Sequence, residues 1–147
     1  MVQDFEALHE PSEPTRQTYD VVGGPAAGRA HLPLLRQEIE RAALDGFFIP
    51  HDDEFQNAYL PDANERLAWA TGFTGSAGAA FVFRSSIGGK GAVVFVDGRY
   101  TLQAKAQLDD KLFEIADLNE LGPHGWLAKQ KLGGARIGYD PKLVSPD

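Results

Sequence analysis

The spacing of apolar residues changes several times along the chain, and each change marks an element. Leu32, Leu35, Ile39, Ala42 and Ala43 fall at i, i+3, i+7, i+10 and i+11, which is one helical face. This predicts a helix opening near residue 31, with Pro33 in its first turn and Gly46 just past its end. Residues 47–50 form a short apolar run that predicts a strand. Residues 51–65 are polar with Pro61 among them, which predicts a loop. Residues 66–71 predict a short helix closed by Gly72, and Gly72, Gly75 and Gly78 punctuate a tight turn.

Residues 79–84 and 92–96 are nearly unbroken apolar runs, the pattern of strands covered on both faces. The stretch between them, 85–91, contains Gly88 and Gly89 and predicts a hairpin loop. Asp97 is placed to cap a helix that runs to about Leu108, by accepting from N–H groups near Arg99 and Tyr100. A strand over 113–116, a largely helical stretch over 118–132 and a last strand over 136–139 complete the pattern. Strand and helix alternate, and one hairpin interrupts the alternation. The fold class expected is therefore α/β, a mixed β-sheet flanked by helices.

Residues 1–30 lack this order. Pro11, Pro14, Pro25, Gly23, Gly24 and Gly28 break any sustained period, which predicts an extended arm before a domain over 31–147. Such an arm is either a surface tail or a docking segment using Phe5, Leu8, Tyr19, Val21 and Val22. At the other end, Val144-Ser145-Pro146-Asp147 follows a strand and a polar turn with no closing element, as at a domain boundary.

Composition narrows the functional classes. The 147 residues hold 14 Lys plus Arg against 21 Asp plus Glu, a net charge of -7. A uniformly acidic domain is a poor partner for nucleic acid or an anionic membrane. No apolar run is long enough to span a membrane, and residues 1–8 lack the apolar core of a secretory signal. With 0 Cys there is no disulfide, thiolate ligand or thiol nucleophile, which fits a cytoplasmic protein.

The familiar catalytic templates fail on the residues. In Gly72-Phe73-Thr74-Gly75-Ser76-Ala77-Gly78, Thr74 stands where a nucleophile elbow needs Gly. The same loop has the wrong spacing for a dinucleotide fingerprint, and a strand follows it rather than precedes it. Gly89-Lys90-Gly91 lacks the hydroxyl of a phosphate loop. His9, His31, His51 and His124 form no zinc spacing. His51-Asp52-Asp53-Glu54 gathers possible ligands on one loop, although adjacent loop carboxylates are more often simply solvated. Trp69, Phe73 and Phe95 read as core or interface residues, and Trp126 as core.

One turn stands out. Asp97-Gly98-Arg99-Tyr100 delivers an arginine at the head of a helix, beside a capping carboxylate. Arg99 there either pairs with Asp97 or another acid, or offers two-point contacts to a carboxylate or carbonyl.

Two stretches carry a family likeness: ERLAWATGFTGSAG over 65–78, and VDGRYTLQA over 96–104 running on to Gln107-Leu108-Asp109. Together, and in this order, they resemble the N-terminal domain of Xaa-Pro aminopeptidases, the creatinase N-terminal domain family. RIGYDP over 136–141 resembles a later strand of that family, and the likeness covers about residues 31–146. Creatinase and proline dipeptidase branches fit these stretches less well.

The resemblance implies a ribonuclease-H-like creatinase N-terminal fold. It implies a parent hydrolase, a metallo-aminopeptidase that releases an N-terminal residue preceding proline. In the family two divalent metals, usually manganese, sit in a C-terminal "pita-bread" domain, where they activate water and polarise the scissile carbonyl. None of those ligands is in this chain, so the resemblance implies no catalytic residue and no metal site here, and a domain inactive alone. Its partners would be the catalytic domain, proline-containing peptides and a second copy in a homodimer. Arg99 is the residue the resemblance ties to substrate, with Asp97 and Tyr100 in support. Phe95, Phe55 and Ala58 stand where many relatives carry Trp, His and Glu, so contacts made by those polar groups are missing. A binding or scaffold domain of the same fold, without a peptidase, is the alternative.

Overall fold

A computed structural model describes residues 22–84 and 89–144. Its elements in chain order are α1 (Pro25–Arg41), β1 (Gly46–Pro50), α2 (Arg66–Thr71), β2 (Gly78–Phe83), β3 (Ala92–Val96), α3 (Thr101–Gln107), β4 (Glu114–Asp117), α4 (Gly122–Lys129) and β5 (Ile137–Gly138). Single turns of 3-10 helix at Asp62–Asn64 and Gly98–Tyr100 precede α2 and α3.

The five strands are ordered β4-β3-β2-β1-β5. β2 pairs antiparallel with both β1 and β3, whereas β4 lies parallel to β3 and β5 parallel to β1. The sheet is therefore mixed, with β2 alone running against its neighbours. Three consecutive antiparallel strands with one parallel strand at each edge, β4 beside β3 and β5 beside β1, give the mixed α/β sheet that the sequence predicted.

Both faces of the sheet are covered, as the unbroken apolar runs required. Ala80, Val82, Ala92, Val94 and Val96 point to one side and pack with Leu32, Ile39, Leu67 and Ala104 of α1, α2 and α3. Phe81, Phe83, Val93 and Phe95 point to the other side and pack on Trp126 of α4. The period of two along β2 and β3 thus feeds two separate cores.

Several boundaries differ from the sequence expectations. α1 opens at Pro25, so Pro25–Ala30, expected within the arm, are helical. Pro25 takes the first helical position and Pro33 lies inside the helix. The helix ends at Arg41, and Gly46 begins β1 instead of closing the helix. The stretch expected to be helical over 118–132 is helical only at Gly122–Lys129. Gly122 has a positive φ, and Gly133 and Gly134 follow. The expected docking residues Phe5, Leu8, Tyr19 and Val21, and the hairpin residues 85–88, lie outside the described residues.

Two glycines let α1 and α2 meet. Gly72 closes α2 in the left-handed region at φ 87, and its carbonyl accepts from Gly24 N at 2.9 Å. A Cβ on Gly72 would lie 2.1 Å from the Gly24 carbonyl oxygen. A Cβ on Gly28 would lie 2.6 Å from the Phe113 ring and 3.0 Å from the Thr71 carbonyl oxygen.

Candidate functional site

The strand directions bring several loops to one end of the sheet. Pro50 at the end of β1 pairs with Ala79, Gly78 at the start of β2 pairs with Val96, and Val96 at the end of β3 pairs with Asp117. The loops after β1, β3 and β4 therefore leave from the same edge as the loop before β2. In sheets with parallel strands this carboxyl edge is where sites are commonly built.

Asp97 leaves β3 with extended backbone and caps the 3-10 turn. Its Oδ1 accepts from Arg99 N at 2.9 Å and from Arg99 Nε at 3.0 Å, and its Oδ2 from Arg99 Nη2 at 3.4 Å. Arg99 remains 72% exposed as a side chain, and its guanidinium carbon lies 5.4 Å from the Tyr100 ring centroid. The hydrogen bonds from Arg99 hold the Asp97 carboxyl below the usual carboxylate range, and Asp97 in turn raises Arg99. Of the two sequence alternatives for Arg99, the structure shows the pairing with Asp97, and most of the side chain stays open to solvent.

Tyr100 turns back into the domain. Its ring meets Phe73 edge-on at 5.9 Å, and its hydroxyl lies 2.5 Å from Ser76 Oγ. Thr74 is held from the other side: its N–H donates to Gln107 Oε1 at 3.0 Å, and its Oγ1 accepts from Gln103 and Gln107. Gln107 Nε2 also donates to the Val22 carbonyl at 3.0 Å. The glycine-rich loop is thus clamped to α3, and the Arg99 turn stands on it. The i, i+4 spacing of Gln103 and Gln107 was the one trace of this clamp in the sequence.

The loop after β1 is organised by Asp53, which is 1% exposed. Its oxygens accept from Phe55 N at 3.0 Å, Asn57 N at 3.0 Å and Asn57 Nδ2 at 2.8 Å. The Asn57 bonds, backbone first, draw the Asp53 carboxyl below its ordinary value. His51 is buried, with Nε2 3.7 Å from Glu65 Oε2. Asp52 is pushed up by burial. Asp53 thus has partners within its own loop, and the described residues hold no group of three or more His, Cys, Asp or Glu able to hold a metal ion. The densest run of possible ligands in the sequence is a loop scaffold whose turn presents Phe55 and Tyr59 at 75% and 89% exposure.

His51, Asp52, Gln56, Ser76 and His124 border an open cleft of about 430 Å³ at this end of the sheet. Ser76 at its border bonds to Tyr100, which follows Arg99 on the turn after β3. The cleft can bind, through hydroxyl, amide, imidazole and carboxyl groups. The Ser76 hydroxyl bonds to the Tyr100 hydroxyl rather than to an imidazole or a carboxylate.

Such a fold is an α/β domain whose mixed five-stranded sheet carries an arginine-bearing turn at one edge. The chain belongs to the Creatinase/Prolidase N-terminal domain family, whose model matches residues 32–147. It is 38% identical over 116 residues to human Xaa-Pro aminopeptidase 2, covering 79% of this chain and 16% of that protein. The rat protein of the same name is 35% identical over 114 residues, covering 78% of this chain and 16% of its own length. The X-prolyl aminopeptidase of Caenorhabditis elegans, described as a cytosolic enzyme with a di-nuclear active site, superposes with a TM-score of 0.68 at 25% identity. That likeness covers 80% of this chain and 20% of the nematode chain. The chain thus spans about a sixth to a fifth of the length of these relatives.

Proposed function

We propose that this chain serves as the non-catalytic N-terminal domain of a metal-dependent Xaa-Pro aminopeptidase, which releases an N-terminal residue preceding proline. The observation that carries the reading is the identity of 38% over 116 residues with an Xaa-Pro aminopeptidase, running through both the glycine-rich loop and the Arg99 turn. The domain walls one side of the substrate cleft. Asp97 fixes the inner edge of the Arg99 guanidinium, and the outer edge meets a carbonyl or carboxylate of the peptide. Tyr100 sets the height of the turn through Ser76. Arg99 is a substrate-binding residue in this account, and Asp97 and Tyr100 are positioning residues.

Hydrolysis belongs to the remainder of a longer polypeptide. A pair of divalent metals bound there, manganese by family resemblance, would supply an activated water. The described residues of this chain hold no group of three or more His, Cys, Asp or Glu for them. The partner of this domain is that catalytic domain, with assembly into a homodimer. A cytoplasmic setting follows the nematode relative, described as cytosolic. No described helix is long and apolar enough to cross a membrane.

The test is hydrolysis of an Arg-Pro-Pro peptide with manganese, by this chain alone and by the polypeptide that joins it to a catalytic domain. Activity only in the longer protein supports the reading. Manganese-dependent cleavage by the purified 147-residue chain overturns it.

A further inference from the structure

A second concavity lies beside β1. It is a groove of about 560 Å³ between α1, α2 and the segment after β5, with Leu35, Phe47, Ile49, Pro50 and Trp69 among its walls. That size and lining suit a small organic ligand, for which sites run to roughly 300–1,000 Å³ with few polar groups. Trp69 is 49% exposed at its rim.

Arg66, the first residue of α2, also lines this groove. Its Nη1 is buried and has no hydrogen-bond partner. Among the described residues, no ion pair within 4.0 Å involves Arg66. A buried guanidinium N–H without an acceptor carries its full desolvation cost, and natural proteins rarely leave one unmet. The missing acceptor is an oxygen, and for a planar guanidinium a carboxylate fits best.

The groove is not uniformly positive. Asp62, Glu65 and Asp140 line it as well. Glu65 is turned toward His51, and Asp140 Oδ1 accepts from Lys142 N. A plain anion entering here meets three like charges. An anion that carries its own ammonium group meets complementary charge at both ends, and an apolar side chain finds the Trp69 wall.

We propose that this groove binds an apolar α-amino carboxylate, either a free apolar amino acid or a short apolar peptide with the same two end charges. The carboxylate sits on Arg66, the ammonium group faces the acidic rim, and the side chain lies against Trp69. The proposal stands independently of the aminopeptidase reading, because it rests on α2 and β1 and uses no residue of the Arg99 turn.

The test is calorimetric titration of this chain with leucine, leucyl-leucine, leucyl-leucinamide and N-acetyl-leucyl-leucine. Trp69 emission reports the location, since Trp126 lies buried on the opposite face of the sheet. Saturable binding of leucine or leucyl-leucine is expected, and the tighter of the two identifies the source. The amide is expected to bind about tenfold or more weakly, the loss of one charge-assisted contact. Arg66→Gln should abolish the heat, and Trp69→Phe the emission change. Ala63→Phe narrows the groove while keeping Arg66, and should weaken binding in a protein with an unchanged circular dichroism spectrum. Absence of heat with both parent ligands overturns the proposal. So does an amide or N-acetyl compound that binds as tightly as its parent, or undiminished binding by folded Arg66→Gln.

Discussion

The Tyr100 hydroxyl lies 2.5 Å from Ser76 Oγ, so the turn that presents Arg99 stands on the glycine-rich loop. The two stretches that carry the family likeness are one unit in space. Tyr100→Phe and Ser76→Ala should each cost about 0.5–1.5 kcal/mol, the net value of one hydrogen bond. The double variant should cost little more than either single one, because both remove the same bond. A double-mutant cycle by urea unfolding checks this, and additive losses would show that the bond contributes nothing.

Acid should loosen the loop after β1. The Asn57 hydrogen bonds hold the Asp53 carboxyl below its ordinary value, and Arg29 does the same for Asp109. A folded-state pKa below the unfolded one stabilises the fold fully above the unfolded value, about 3.9 for Asp. That contribution is lost as pH falls through the lower folded-state values. Asp53→Asn should therefore destabilise the domain at neutral pH and flatten the acid limb of its stability curve below about pH 4. Urea midpoints measured from neutral pH down to about pH 2 test the sign. An Asp53→Asn curve parallel to the parent curve throughout would refute it.

Gly72 admits no side chain. Its left-handed backbone alone makes alanine there unfavourable by about 1–2 kcal/mol, and the Cβ would strike the Gly24 carbonyl. Gly72→Ala should lower stability by at least that amount and separate α1 from α2. Gly98→Ala, where a Cβ meets nothing within 4 Å, should stay within about 0.5 kcal/mol. Thermal melts of the pair suffice.

The α4 face of the sheet depends on Trp126. Its ring stacks on Phe81 at 6.3 Å and Phe83 at 6.1 Å, and meets Phe95 edge-on at 5.9 Å. Trp126→Ala should cost about 3–5 kcal/mol. Leu102→Ala, at a position 82% exposed, should cost under about 0.5 kcal/mol.

Element types and order were legible because the apolar runs at 79–84 and 92–96 leave little choice but strands covered on both faces. The early start of α1 was not. Pro25 is a normal first helical residue, but Gly23, Gly24 and Gly28 around it read as breakers. Gly28 instead permits close approach to Phe113 and Thr71, a tertiary reason that no local pattern carries. The end of the site near Arg99 was half legible: the capping role of Asp97 follows from its position before a helix, and the structure shows that bond at 2.9 Å. The Ser76–Tyr100 bond and the orphaned Arg66 nitrogen were invisible, since each depends on which loops the sheet register brings together. The loop carboxylates of His51-Asp52-Asp53-Glu54 were expected to be solvated, but Asp53 is buried and turns inward to its own loop.

The most direct test of the proposed role is Arg99→Ala in a polypeptide that joins this chain to a catalytic domain, assayed on an Xaa-Pro peptide with metal content measured in parallel. Loss of one charge-assisted substrate contact predicts a fall in kcat/KM of roughly 10- to 100-fold, with bound metal unchanged. Unchanged kcat/KM, or a fall accompanied by lost metal, would contradict the role of Arg99 as the substrate contact of this domain.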